Sequence, residues 1–214
     1  LRVGIAYTRG RAIMPRLIPA FQRQYPNVEI MLRECSNDAI QKALLSGGID
    51  LAIAAYPKAP PSIELADYYT EHTVLCLVDS LLVQCQIDLD VRRNEIAAGD
   101  LHSLRDCPFV LGSAADIGGR IGRELLRASG ISPISKATSE NVETLLALCV
   151  QGVGACFCPE NLLQTALSPE QLAHLHILPL CPEASYPICF GYLSRSYPWS
   201  VLSEFIRIAR NQTA

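Results

Sequence analysis

Long apolar runs are missing from this chain. No uninterrupted stretch approaches the ~18 residues that a membrane-spanning helix needs, and the first ten residues lack the basic start and long apolar middle of a secretory signal. Basic charge is scarce as well: 18 Lys+Arg against 21 Asp+Glu leave a net charge of −3 and a pI of about 5.8, with no footprint for a phosphate backbone. This segment alone is therefore expected to bind neither DNA nor a membrane. Disorder is excluded on the other side, because 50% of the 214 residues are hydrophobic and mean hydropathy is +0.21, enough for one globular core or two small ones. Catalytic signatures are also wanting. There is no G-x-S-x-G, H-E-x-x-H, phosphate loop or G-x-G-x-x-G after a strand, so an enzyme finds no support.

Cysteine is plentiful by contrast. Nine residues form an odd set without the short spacings of a stapled mini-domain, which suits reduced thiols in a cytosolic compartment better than disulfides. Neither a C-x-x-C redox pair nor a zinc pattern occurs. Cys156 and Cys158 fall on one side of a strand, yet thiols are among the most buried groups, and core packing explains them better than metal or redox chemistry. Cys35, at an expected helix N-terminus, is the one thiol whose position favours reactivity. His72, His102, His174 and His176 have no acidic or cysteine companion at ligand spacing, so neither a metal nor a cofactor is expected.

The periodicity describes alternating strands and helices. Residues 1–7 (LRVGIAY) read as a buried strand already under way, as in a piece of a longer protein. Met14, Leu17, Ile18, Phe21 and Tyr25 then recur at helical spacing until Pro26. Residues 28–32 alternate as a strand, Ile40, Ala43 and Leu44 mark a helix stopped by Gly47-Gly48, and IDLAIAA is a strongly apolar strand. Such alternation predicts a mostly parallel sheet covered by helices. A proline-rich loop follows at 56–62, including Pro57, then a strand at 73–78. A further strand is expected near 81–89. The cycle resumes with PFVLG and a helix through Ile121 and Leu125 ended by Gly130 in a left-handed conformation. Ser139 caps a buried helix through Leu145 and Leu146, and residues 153–158 form a strand. A short helix starts at Ser168-Pro169, strands follow at 175–180 and 187–193, and an amphipathic helix spans 196–210.

In open parallel sheets ligands bind beyond the carboxyl ends of strands, where helix N-termini present unpaired N–H groups. Small polar residues stand at three such junctions here, Thr8-Arg9-Gly10, Cys35-Ser36-Asn37-Asp38 and Gly112-Ser113-Ala114-Ala115-Asp116, with Ser139-Glu140-Asn141 at another helix start. Each group alone is better read as a helix cap. Taken as a set with the Arg9 cation, they suit a small anion such as a carboxylate.

The motifs in order add up to a family pattern. LRVGIAYTRGRAIMPRLIPAFQRQYPNVEIMLRE, followed by LLSGGIDLAIA and later by SENVETLLALCVQGVGACFCPENLL, resembles the effector-binding domain of LysR-type transcriptional regulators over nearly the whole chain. The resemblance implies an α/β, type II periplasmic-binding-protein-like fold: two α/β subdomains joined by two crossing strands, 1–75 with 186–214 and 76–185, holding a small effector between them. Positions that match effector-contacting residues of the family are Thr8, Arg9, Ser36, Asn37, Ser113, Ala114 and Ile117, with Asn141 a further candidate. The family's winged helix-turn-helix would precede Leu1, so DNA is bound only through that missing part. Effector domains of the family also pair, so a cytoplasmic homodimer is expected, through helices such as that of residues 14–25, with a tetramer open for the full protein. The family's His-Pro turn is replaced by Asp79-Ser80-Leu81-Leu82. A transport-associated solute-binding protein of the same fold, which would require an upstream export signal and oxidised cysteines, and an enzyme built on it are the competing readings.

Overall fold

The computed structural model describes residues 1–56, 60–114, 116–194 and 199–213. Pro57 of the expected loop, Ala115 of the expected strand-end junction and residues 196–198 of the expected last helix lie outside them. The chain divides into two compact units, Leu1–Thr70 with Tyr186–Ala214, and Glu71–Ser185.

Unit 1 opens with β1 (Arg2–Ile5), α1 (Tyr7–Gln22), β2 (Met31–Glu34), α2 (Asn37–Leu45) and β3 (Leu51–Ala54). β2 and β3 both pair with β1 in parallel, and β9 (Ser185–Leu193) adds antiparallel to β3, giving the order β2-β1-β3-β9. One face of this sheet buries Val3, Ile5, Leu51, Ile53 and Phe190 against Leu17 and Phe21 of α1 and Phe205 of α9 (Ser200–Thr213). The other packs Ala52 and Ala54 on Ile40, Ala43 and Leu44 of α2. The apolar stripes read from the sequence are thus the faces that are buried. Pro15 and Pro19 sit within α1, four residues apart on its exposed side, away from the stripe that packs on the sheet.

β4 (Ile63–Val78) runs across the division between the units in the chain, and β9 begins at the return. In unit 2, β4 lies between β7 (Cys156–Pro159) and β8 (Leu175–Pro179), antiparallel to both. β5 (Pro108–Gly112) pairs in parallel with β6 (Ile134–Ser139) and meets Ala155, beside β7, through hydrogen bonds of 2.9 and 2.8 Å. α5 (Ile117–Ala128) and α6 (Val142–Val150) follow β5 and β6. The core joins Leu75, Leu77, Phe109, Val110, Leu145, Leu146, Cys156 and Cys158.

Several expectations are corrected. The sheets are mixed rather than mostly parallel, since β4, β7, β8 and β9 run antiparallel to their partners. The strand expected at 81–89 is instead α3 (Asp79–Cys85) and α4 (Leu89–Ala97), separated by Gln86 at φ 54°. A short apolar run fits either period, and here Leu81 is buried while Val83 is 79% exposed. The first half of β4 and the whole of β6 were not anticipated: both are largely exposed and carry little apolar alternation. Gly130 does adopt a left-handed conformation (φ 69°), and Ser168 closes a capping box with Gln171 ahead of α8 (Pro169–Ala173). The short α7 (Leu163–Ala166) precedes it.

Candidate functional site

Each unit has one edge where parallel strands end and helices begin. In unit 1, the register Ile5↔Glu34 and the Cys35 N–H donating to the Ile5 carbonyl at 3.1 Å set the ends of β1 and β2 side by side. Thr8 and Arg9 stand at the expected junction between the first strand and its helix, inside the helix rather than ahead of it. Ala6 is extended and accepts the first helical hydrogen bond from Gly10 at 2.7 Å, so both residues lie in the first turn of α1. Gly10 permits a close approach, because a Cβ there would lie 2.6 Å from Glu34 Oε1. Arg9 is only 4% exposed, and its Nη1 donates to the carbonyl of Ile53, on β3, at 3.5 Å. Its cation is therefore held against the ends of adjacent parallel strands. Ser36 caps α2, accepting from Ala39 N–H at 3.4 Å, and Asn37 begins the helix. The Asn37 Oδ1 is buried without a hydrogen-bond partner among the described residues.

In unit 2, the register Gly112↔Ser139 brings the ends of β5 and β6 together. Ser113 and Ala114 follow β5, half-buried and exposed respectively, and Ile117 is buried at the start of α5. Asp116 caps α5 by accepting from Gly119 N–H at 3.1 Å. The cap of α6 is Asn141, not Ser139: Asn141 Oδ1 accepts from Glu143 N–H at 2.9 Å, while the Ser139 hydroxyl accepts from Asn141 N–H at 3.0 Å. So Thr8, Arg9, Ser36 and Asn37 share one edge in unit 1, and Ser113, Ala114, Ile117 and Asn141 share one in unit 2. Ser36 and Asn141 spend their side chains on caps. Their ligand role rests on position alone.

Sequence reasoning passed over Tyr56 and Arg123. Tyr56, just beyond β3, is 8% exposed, and its hydroxyl occupies the space left by Gly191, where a Cβ would be 2.6 Å away. Burial, with the nearby Cys189, pushes its pKa up to about 12, so it remains a protonated phenol. Arg123, within α5, reaches back to the Gly112 carbonyl at 2.8 Å. Among the described residues no group of three or more His, Cys, Asp or Glu is placed to hold a metal ion, and no helix is long and apolar enough to cross a membrane. His176 Nε2 is instead 2.6 Å from Asp79, and His72 Nδ1 2.8 Å from the Ser185 hydroxyl.

The relatives of this chain are regulators. It is 27% identical over 146 residues to the HTH-type transcriptional regulator EstR of Acinetobacter baylyi, covering 66% of this chain and 47% of EstR. It is 25% identical over 170 residues to IlvY of Escherichia coli, covering 79% of this chain and 54% of IlvY. The chain spans about half the length of the curated relatives it matches. Among solved structures, the BenM effector-binding domain with its effector benzoate superimposes with a TM-score of 0.77 at 20% identity, covering 99% of this chain and 90% of that one. The Synechocystis CcmR regulatory domain in complex with 2-PG gives 0.78 at 15% identity, covering 100% and 96%. The reduced form of OxyR from N. meningitidis gives 0.75 at 17%, covering 99% and 94%. The fold is accordingly the type II periplasmic-binding-like fold of LysR regulatory domains. With the LysR substrate binding domain matching residues 1–214, the chain belongs to that family, the effector-binding domains of LysR-type transcriptional regulators.

Proposed function

We propose that this domain senses a small anionic effector, a carboxylate in the simplest case, for a cytoplasmic regulator whose DNA contacts are made by another domain. The observation that carries the reading is Arg9, a cation 4% exposed in the first turn of α1, at the ends of β1 and β3. A helix N-terminus beside this cation adds a favourable field for an anion. BenM with benzoate and CcmR with 2-PG support a small-molecule effector on this fold. The acidic balance of the chain and the structure of full-length CbnR with its target DNA support a division of labour in which this part senses and another part reads DNA. A ligand shifts a conformational equilibrium only by its different affinity for the two states. The effector therefore acts by favouring one arrangement of a homodimer, and is returned unchanged rather than turned over.

Thermal-shift titration against a panel of small carboxylates tests this. At least one member raises the melting temperature in a saturable way, and Arg9→Ala weakens that ligand roughly ten- to hundredfold, the range for a charged hydrogen bond. Arg9→Lys, which keeps the charge, loses less. A flat panel overturns the anionic effector, unchanged affinity in Arg9→Ala removes Arg9 from the site, and chemical conversion of the recovered ligand overturns the sensor.

A further inference from the structure

Arg123 stands well inside α5, yet its guanidinium lies at the carboxyl end of β5, where Nη2 donates to the Gly112 carbonyl at 2.8 Å. Side chains on a helix lean toward its N-terminus, which is how a residue on the second turn delivers a cation to the strand end. Glycine makes the approach possible. A Cβ on Gly119 would lie 2.3 Å from the Ser113 carbonyl oxygen, so α5 sits closer to this edge than any side chain at 119 allows. Glu124 is the next residue in the chain, and Asp116, at the cap of α5, has its carboxylate turned to the Gly119 N–H. The Arg123 Nε is buried with no hydrogen-bond partner among the described residues. A guanidinium is a planar fork matched to two oxygens of one anion. This one is fixed at one end by a backbone carbonyl and has a donor left without an acceptor.

We propose that Arg123 is the cation with which unit 2 binds an oxyanion group of the effector, a carboxylate or a phosphate. The inference rests on the reading of the strand-end edges as the effector site, and adds to it a residue that lies 10 positions beyond Ser113 in the chain, and on a helix rather than at a junction.

The experiment follows arginine Nε–H resonances of the isotopically labelled domain during separate titrations with benzoate and inorganic phosphate. The Arg123 signal is assigned by its disappearance in Arg123→Gln and in Arg123→Lys. We expect that signal to move saturably, and affinity for the same probe to fall about tenfold or more in Arg123→Gln and less in Arg123→Lys. Movement with benzoate alone assigns a carboxylate, and with phosphate alone a phosphate. If a probe binds in an Arg9-dependent way while the Arg123 signal stays still and Arg123→Gln binds like the wild type, this inference falls and the effector reading stands. If neither probe binds and no arginine signal moves, this inference falls, while the effector reading stands or falls with the carboxylate panel. Should Arg123→Gln fail to fold, Arg123→Lys supplies both the assignment and the affinity comparison.

Discussion

Asp50 is tied to Arg2 by three hydrogen bonds, from the backbone N–H at 2.9 Å, from Nε at 3.1 Å and from Nη2 at 2.6 Å. Its side chain is 8% exposed, whereas that of Arg2 is 42% exposed. Burial by itself would raise the carboxyl, but the hydrogen bonds and charge of Arg2 prevail and hold it below its ordinary value of 3.8. A depressed native pKa contributes stability above the unfolded value, and that contribution is lost as pH falls through the native one. Asp50→Asn is therefore expected to be less stable than the wild type at pH 7. The gap should close below about pH 3.8, as chemical denaturation at a series of pH values would measure; a gap independent of pH would mean that the pair contributes no charge-dependent stability.

The helices and strands raise a second question, how closely α5 is pressed onto its sheet. Three glycines on α5 differ sharply in their surroundings. A Cβ on Gly119 would meet backbone at 2.3 Å and one on Gly122 the ring of Phe157 at 2.3 Å, whereas one on Gly118 meets only Asp116 Oδ2 at 3.3 Å. Alanine in place of glycine favours a helix by up to about 1 kcal/mol, while overpacking costs about 1–3 kcal/mol. Gly118→Ala should thus be neutral or slightly stabilising, and Gly119→Ala destabilising by about 1–3 kcal/mol, because backbone cannot step aside as a flexible side chain can. Urea denaturation of the two variants decides it, and equal stabilities would remove close packing as the reason for glycine at 119.

Across the chain as a unit, cysteine burial sorts nine thiols into two groups. Cys35 and Cys85 are half-buried, and the other seven are buried. In unit 2, Cys76 and Cys158 bring their sulfurs to 3.7 Å, and Cys149 donates to the Cys76 carbonyl at 3.3 Å. Hydrogen bonding to the Cys149, Cys158 and Cys76 thiols, together with burial, raises the Cys156 thiol well above its ordinary range. Titration of the native domain with an aromatic disulfide reagent should accordingly modify two thiols quickly and seven only after unfolding. Rapid reaction of a third would show that one of these cores opens on the experiment's timescale.

Apolar periodicity determined much of this protein without tertiary information. The stripes at Leu17 and Phe21, Ile40 and Leu44, and Leu145 and Leu146 name the buried helix faces. Ser168 and Gly130 likewise announce their cap and turn, because hydrogen bonding and backbone sterics at those points are local. Position along the chain also placed Ser113 at a strand end and Asn141 at a helix start, since the apolar strand pattern stops just before the one and the helical stripe begins just after the other. What depended on contacts distant in sequence was decided only by the tertiary structure. Residues 79–97 became two helices because Leu81, Leu89 and Ile96 pack inward while Val83 and Val91 face out, a choice that a short apolar run leaves open. β6 exists because β5 offers it an edge, not because its own pattern demands a strand. Arg123 reaches Gly112 across 11 residues, a contact made by the packing of α5 on β5 and encoded by the glycines that let the two approach.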